Sequence, residues 1–405
     1  MYKVAITGIG IVSCLGHEPE SVAQALYSGA SGIVIDEERI KLGFRSPLTG
    51  RIRDFDPAAR LSRKQLKSMT EFAIWAHAAA MDAVEMSGIA PEDLRNAESG
   101  LIFGNDSTCV SAVEQVEQLR AGGDTARIGS GNIFRIMNST VTMNLNVLLG
   151  TRGACWTISS ACSSGGHAVG QAADLIALGR QDRVICGGAQ EITWQSICSF
   201  DGLGAFSTRM DAPGKASRPF DANRDGLVPG GGAAAIMLER WDLAEKRGAR
   251  ILGEVLSYGF SSDGEHLSKP SVHGLGTSMA KALGSAGLMA KDIDYICAHA
   301  TSTPAGDAVE AQAIAALFGE RTPPISSLKS MTGHELWMSG ASQVVYTTIM
   351  AMKGFLAANV NFECGDEHSS KLNIITAPLE RGPHTALLNS AGFGGTNSSL
   401  VLRFA

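Results

Sequence analysis

Basic charge, long apolar runs, paired cysteines and aromatic side chains are all in short supply in this chain of 405 residues. The formal net charge of −6 argues against general binding to nucleic acid or to an acidic membrane surface. No stretch of roughly 18 apolar residues occurs, so membrane insertion is not expected. Met1-Tyr2-Lys3-Val4 leads straight into strand-like sequence rather than a cleavable leader, which points to a cytoplasmic protein. The eight cysteines (Cys14, Cys109, Cys155, Cys162, Cys186, Cys198, Cys297 and Cys364) form no Cys-x-x-Cys pair. Reduced thiols are therefore expected, with neither a disulfide framework nor a zinc or other metal site. No linker-like or low-complexity segment divides the chain.

Glycine, by contrast, is abundant at 47 residues, and the length suffices for a large core. Many tight turns and close backbone approaches suit an α/β enzyme with a loop-built site. Residues 4–12 read as a buried strand running into a glycine turn. Gly8 and Gly10 give half of a dinucleotide fingerprint, but Ser13 takes the third glycine's place and no suitably placed acidic residue follows a second strand. A dehydrogenase reading is accordingly poor. Residues 62–88 read as one long helix. Strand-to-glycine passages at 183–189 and 230–238 are echoed at 386–395 and 399–402. The echo suggests an internally duplicated α/β fold, halves 1–250 and 251–405, with a seam near 248–252.

Four motifs carry chemistry. The first is Thr157-Ile158-Ser159-Ser160-Ala161-Cys162-Ser163-Ser164-Gly165-Gly166-His167, read as strand, turn and helix start. A thiol at a helix N-terminus faces unpaired N–H groups, which favours its thiolate; a lone cysteine is otherwise a small buried hydrophobe. The second is a short strand at 295–298 followed by His299-Ala300-Thr301-Ser302-Thr303-Pro304-Ala305-Gly306-Asp307 and a helix, a loop suited to gripping a polar substrate arm. The third, Lys329-Ser330-Met331-Thr332-Gly333-His334, lies between apolar segments. A buried Lys329 requires a carboxylate, and Glu310 is the candidate. In the fourth, Gly392-Phe393-Gly394-Gly395-Thr396-Asn397, glycines let a backbone N–H approach a reacting carbonyl.

These four motifs, in this order and at this spacing, resemble those of β-ketoacyl-[acyl-carrier-protein] synthases of the elongating class, condensing enzymes of the thiolase fold. The resemblance covers the whole chain. It implies two duplicated halves in a five-layered α-β-α-β-α architecture, and a homodimer or a heterodimer with a related chain-length factor. It makes Cys162 the acylated nucleophile, with His299 and His334 promoting decarboxylation of malonyl-carrier protein. Lys329, paired with Glu310 and supported by Asp307, organises the site. The backbone N–H groups of Cys162 and Phe393 form the oxyanion hole. Thr301, Thr303, Phe393 and Gly394 contact substrate, Phe393 acting as a gate. No cofactor is implied beyond the phosphopantetheine arm of the acyl-carrier protein. Arg63, Lys64 and Lys67, with Arg127, match carrier-docking positions, although charge alone fits an ordinary solvated helix face equally well.

A Cys–His–His set differs from the Cys–His–Asn set of priming synthases and from thiolases with their second cysteine. It also sets the chain apart from chain-length factors, which lack the nucleophile, and from cysteine hydrolases, which need a single histidine. Ala300 replaces a usual glycine and Ala391 a common phenylalanine. Ser163-Ser164-Gly165-Gly166 replaces an Ala-Thr-Ser-Ala pattern. Glu335-Leu336-Trp337-Met338-Ser339-Gly340 stands where small residues are typical. Glu335 is placed to act near the helix start or to orient His334. These departures bring specialised polyketide or aryl-polyene ketosynthases into view as the alternative to fatty-acid synthesis. The pocket floor is expected from residues 104–109 and 136–143.

Overall fold

The computed structural model describes residues 1–56 and 60–404. In chain order its strands are β1 (Val4–Val12), β2 (Ile33–Ile35), β3 (Leu48–Gly50), β4 (Ser99–Gly104), β5 (Cys155–Ile158) and β6 (Arg183–Gln190). They continue with β7 (Gly232–Arg240), β8 (Gly253–Ser262), β9 (Tyr295–Cys297), β10 (Ile325–Ser326), β11 (Thr385–Gly392) and β12 (Thr396–Arg403). Ten of these run in the order β10-β9-β11-β12-β8-β1-β7-β6-β4-β5, with β2 and β3 paired separately.

The order repeats itself. β5-β4-β6-β7-β1 has the same sequence of parallel and antiparallel neighbours as β10-β9-β11-β12-β8. The two sets meet where Val4, Ala5 and Ile6 pair with Val255, Glu254 and Gly253. Helices Glu71–Ser87 and Thr140–Leu149 cover one outer face, and Val272–Ala286 and Pro304–Phe318 the other. Helices Ser164–Ala177 and Ser339–Lys353 pack against each other between the two sets of strands. The result is the five-layered thiolase-type arrangement of duplicated halves. Its apolar core is divided accordingly, with a central cluster between the sheets and one cluster under each outer helix layer.

Two local expectations are corrected. The run 62–88 is not one helix. Ser62 caps a single turn, Arg63–Leu66, by accepting the Gln65 N–H while Gln65 Oε1 takes the Ser62 N–H. Thr70 Oγ1 then accepts the Ala73 N–H to start Glu71–Ser87 afresh. Two hydroxyl caps eight residues apart by number compete with helical continuation and divide the run. Nor does β1 turn at its glycines: the strand runs through both. A Cβ on Gly8 would lie 1.9 Å from the Ala83 carbonyl oxygen, and one on Gly10 would lie 2.0 Å from that of Ala79. These glycines exist so that an Ala-rich helix can rest its backbone directly on the strand.

Candidate active site

The duplication places two helix starts side by side at the middle layer. Cys162 directly precedes helix Ser164–Ala177 and its Ser163 cap position. His334 lies just ahead of the turn Leu336–Met338 and helix Ser339–Lys353. Ahead of Cys162 the backbone makes a sharp turn in which Ala161 has φ +47°. Ser164 Oγ holds that turn, accepting the Ser160 N–H at 2.8 Å and donating to the Ala161 carbonyl at 2.6 Å. The backbone N–H groups of Cys162 and Phe393 both approach the sulfur. Gly392 allows this closeness, since a Cβ there would stand 3.0 Å from the Cys162 nitrogen.

The thiol itself is buried at 5% exposure. Burial pushes it up to about 12, against the pull of the Lys329 charge and of those two N–H groups, while Asp106 adds to the rise. The expected bias toward thiolate is thus reversed in the resting site. Dehydration within an apolar cluster of Ile197, Phe206, Leu227, Leu336 and Trp337 outweighs the helix end.

His299 follows β9. Its backbone N–H and that of Ala300 donate to the two carboxylate oxygens of Glu310, at 2.9 and 2.6 Å, and Asn389 Nδ2 donates to the same group at 3.1 Å. Glu310 therefore anchors the strand end that carries His299 and forms no direct ion pair with Lys329, which corrects that expectation. Its charge is felt by Lys329 only across space. Burial holds the Lys329 ammonium below its usual range, opposed by Cys297, Glu310, Glu335 and Cys162.

The His299 and His334 rings are 5.3 Å apart and nearly perpendicular, at 86°. Burial first, then the Lys329 charge, holds both imidazoles well below their usual range, so both are neutral. Ser339 Oγ lies 3.2 Å from His334 Nδ1; a hydroxyl donating there leaves Nε2 as the ring N–H. Glu335 does not orient His334. Its carboxylate turns away, accepting from Ser342 Oγ at 2.5 Å and Tyr346 OH at 2.7 Å, and burial raises it to about 7.

The loop after His299 is folded around Asp307. That carboxylate accepts the N–H groups of Thr301, Ser302 and Phe220, and Ser302 adopts φ +73°. Thr301 and Thr303 turn their hydroxyls toward each other at 3.0 Å. A residue not singled out from the sequence completes the loop. Arg224 donates to the Thr303 and Pro304 carbonyls and pairs with Asp366 at 2.8 Å. Its only sequence signal was the polar run Asp221-Ala222-Asn223-Arg224-Asp225 in a glycine-rich stretch. Another unforeseen chain links Tyr258, His167, Thr396 and Ser163, tying the glycine turn to the helix that follows Cys162.

A cavity of about 300 Å³ joins these parts. Cys162, His299, His334, Thr301, Thr303 and Phe393 all line it, and Glu310 reaches it as well. Gly394 does not; at φ +78° it donates its N–H to the Leu267 carbonyl and shapes the turn instead. Lys329 and Asp307 lie behind the lining. Phe393 is 41% exposed and lies 5.7 Å from Phe200, the rings within 20° of parallel. Away from the cavity, Arg63, Lys64, Lys67 and Arg127 are all exposed. Their segments are neighbours: Gly131 packs against the Lys67 carbonyl and Arg135 donates to that of Leu66.

The family described as Beta-ketoacyl synthase, N-terminal domain, matches residues 1–244, and its C-terminal domain counterpart matches residues 252–363. The chain belongs to the β-ketoacyl synthase family. A 3-oxoacyl-[acyl-carrier-protein] synthase 1 of Haemophilus influenzae is 37% identical over 100% of this chain and 99% of its own. Among solved structures, a β-ketoacyl synthase from Burkholderia phymatum superposes with a TM-score of 0.95 at 34% identity, covering 100% of both chains. The ishigamide ketosynthase/chain length factor superposes at 0.93 and 29% identity, covering 100% of this chain and 99% of that one. The duplicated fold of this β-ketoacyl synthase is therefore that of the ketosynthases. Among the described residues, no helix is long and apolar enough to cross a membrane.

Proposed function

We propose that the chain is a 3-oxoacyl-[acyl-carrier-protein] synthase in which Cys162, His299 and His334 perform a decarboxylative condensation. The observation that carries this reading is the convergence, on one cavity, of a buried thiol with two N–H groups at its sulfur and two neutral imidazoles.

Three steps follow from the chemistry of these groups. Cys162 Sγ attacks the thioester carbonyl of an acyl-carrier protein. The carrier's C–S bond breaks, and the cysteine proton leaves with the phosphopantetheine thiolate. The N–H groups of Cys162 and Phe393 hold the oxyanion of the tetrahedral intermediate. Malonyl-carrier protein then enters past Thr301 and Thr303, and loss of its carboxylate as CO₂ leaves an enolate. Neutral imidazoles suit this step, because each offers an N–H to the enolate oxygen, and each such donor is worth roughly 3 kcal/mol. Finally the enolate carbon attacks the Cys162 thioester. The C–S bond breaks, the Cys162 thiolate so released takes up a proton from solvent, and the product is longer by two carbons. No cofactor is needed beyond the carrier's own arm. Lys329 supplies positive potential behind the sulfur, and Glu310 and Asp307 hold the His299 loop.

Arg63, Lys64, Lys67 and Arg127 form the carrier-docking surface in this reading, which their exposure and the adjacency of their segments support. A second copy or a related chain-length factor pairs along β5. That strand ends the sheet and carries a half-exposed Trp156, and the exposed Ile133, Phe134 and Met137 lead into helix Thr140–Leu149, which packs on it. Fatty-acid elongation is the primary assignment. A specialised ketosynthase working with a chain-length factor is the second, favoured by the likeness to the ishigamide proteins and by Trp337 beside the nucleophile.

The test is condensation by purified protein given an acyl-carrier and malonyl-carrier protein, read by intact mass. The wild type forms the two-carbon extended product, and Cys162→Ala forms none while keeping the wild-type circular dichroism. Product formed by Cys162→Ala would overturn the mechanism.

A further inference from the structure

The two N–H groups that serve the Cys162 sulfur come from opposite halves of the fold. One belongs to the turn before helix Ser164–Ala177, the other to Phe393 in the glycine turn between β11 and β12. An oxyanion hole works only while both aim at one spot, and the glycine turn is poorly suited to holding still. Gly394 and Gly395 sit at φ +78° and +74° without side chains. The hydrogen bonds of Gly394, Gly395 and Asn397 run to Leu267 and Asp263 rather than to the nucleophile segment. A row of side chains makes that connection. Thr396, which ends the turn, has its Oγ1 2.6 Å from Oγ of Ser163, the residue after Cys162. The same Oγ1 lies 2.9 Å from His167 Nε2, and His167 Nδ1 meets the Tyr258 hydroxyl from β8.

The protons in this row run one way. Ser163 Oγ donates to the Ser160 carbonyl at 2.7 Å, and a carbonyl has no proton to give back. The Thr396 hydroxyl therefore donates to Ser163, and its own oxygen accepts from His167 Nε2. Burial lowers His167 to about 4, so the ring is neutral, with its single N–H on Nε2 and a bare Nδ1 that accepts from Tyr258. Burial also keeps the Tyr258 phenol protonated. The phenol has little room to leave, since a Cβ on Gly170 of the helix would stand 2.3 Å from its ring.

We propose that His167, oriented by Tyr258, is a positioning residue of the condensation: it holds Thr396 on Ser163 and so keeps the Cys162 and Phe393 N–H groups at the spacing the tetrahedral oxyanion requires. The proposal rests on the ketosynthase reading above. His167 is not part of the cavity lining and acts through the turn. Without the imidazole, Thr396 loses its donor, Tyr258 loses its acceptor, and the turn is free to drift. A misplacement of about 1 Å costs on the order of a hundredfold in rate. The loss is selective. Both thioester steps at Cys162 pass through the oxyanion, whereas release of CO₂ from malonyl-carrier protein draws on His299 and His334.

The experiment compares wild type, His167→Leu, His167→Gln and Tyr258→Phe. It measures single-turnover acylation of Cys162, the acyl-carrier concentration that half-saturates it, and CO₂ release from malonyl-carrier protein by the unacylated protein. His167→Leu slows acylation about a hundredfold. Its half-saturating concentration and its CO₂ release stay within about threefold of wild type. His167→Gln, whose amide N–H stands in for Nε2, regains about tenfold or more of the lost rate. Tyr258→Phe deletes only the first donor of the row and slows acylation about threefold to tenfold with CO₂ release unchanged. It decides the matter if His167→Leu does not fold. Acylation and CO₂ release that fall in parallel show a merely structural role and overturn the proposal. So does acylation that neither substitution slows, or a His167→Gln protein as slow as His167→Leu. Wild type that acylates Cys162 while the variants match it refutes this inference alone, whereas wild type that never acylates Cys162 refutes the ketosynthase reading beneath it.

Discussion

At the scale of single residues, the site is a set of charged and polar groups held in an apolar interior by partners aimed at them. Glu310 is spent on backbone N–H groups rather than on a cation, and that use fixes where His299 sits. Glu335, beside His334 in sequence, faces the opposite way and binds two hydroxyls. Its buried carboxyl yields a pH signature. Burial raises it from 4.5 to about 7, so between those values the native state holds a proton that the unfolded chain releases. The stability this contributes is fully present at acid pH and is lost as pH rises through about 7. Glu335→Gln keeps a neutral group, so its stability relative to wild type rises on going from about pH 5 to about pH 8, by up to about 3 kcal/mol. Urea midpoints at the two pH values measure this; a difference independent of pH would show that Glu335 is ionised throughout.

At the scale of elements, close backbone approach governs what packs on what. Gly10→Ala forces a Cβ into the Ala79 carbonyl of helix Glu71–Ser87 and destabilises the protein by about 1–3 kcal/mol or more. Gly284→Ala, in helix Val272–Ala286 with open space around it, stabilises by about 0.5–1 kcal/mol. Thermal unfolding of the two variants reads both effects, and equal responses would contradict the close-approach account. These same glycines show what the sequence could and could not tell. Strand position was legible from apolar runs such as residues 4–12. The role of Gly8 and Gly10 was not, because a glycine that ends a strand and one that admits a helix look alike until the partner is placed. The run 62–88 was misjudged for a related reason: apolar periodicity spans both helices, and the Ser62 and Thr70 caps outweigh it locally. Cys162, His299, His334 and Phe393 meet on one cavity because each sits at the end of a strand or the start of a helix, positions that composition marks well, whereas Lys329, Asp307 and Gly394 stay out of its lining. Arg224 escaped notice because the Thr303 and Pro304 carbonyls and the Asp366 carboxylate that hold it all lie far away in the chain.

At the scale of the whole molecule, duplication sets the chemistry. Equivalent helix starts in the two halves deliver Cys162 from one and His334 from the other, so neither half holds a complete site. The proposed docking surface belongs to this scale: on a net-acidic chain, Arg63, Lys64 and Lys67 gather exposed positive charge at some distance in sequence from every cavity residue, where it would steer a negatively charged partner. Lys64→Glu with Lys67→Glu raises the KM for acyl-carrier protein about tenfold or more and leaves the thermal midpoint near that of wild type. An unchanged KM would remove the docking assignment.

The central claim is that Cys162 carries the growing chain between two carriers. Exposing the protein to acyl-carrier protein alone, digesting it and locating the added mass tests this directly. The account predicts one acyl group on the peptide containing Cys162, and its disappearance on adding malonyl-carrier protein as the extended product forms. An acyl group on another of the eight cysteines, or none that malonyl-carrier protein can discharge, would contradict it.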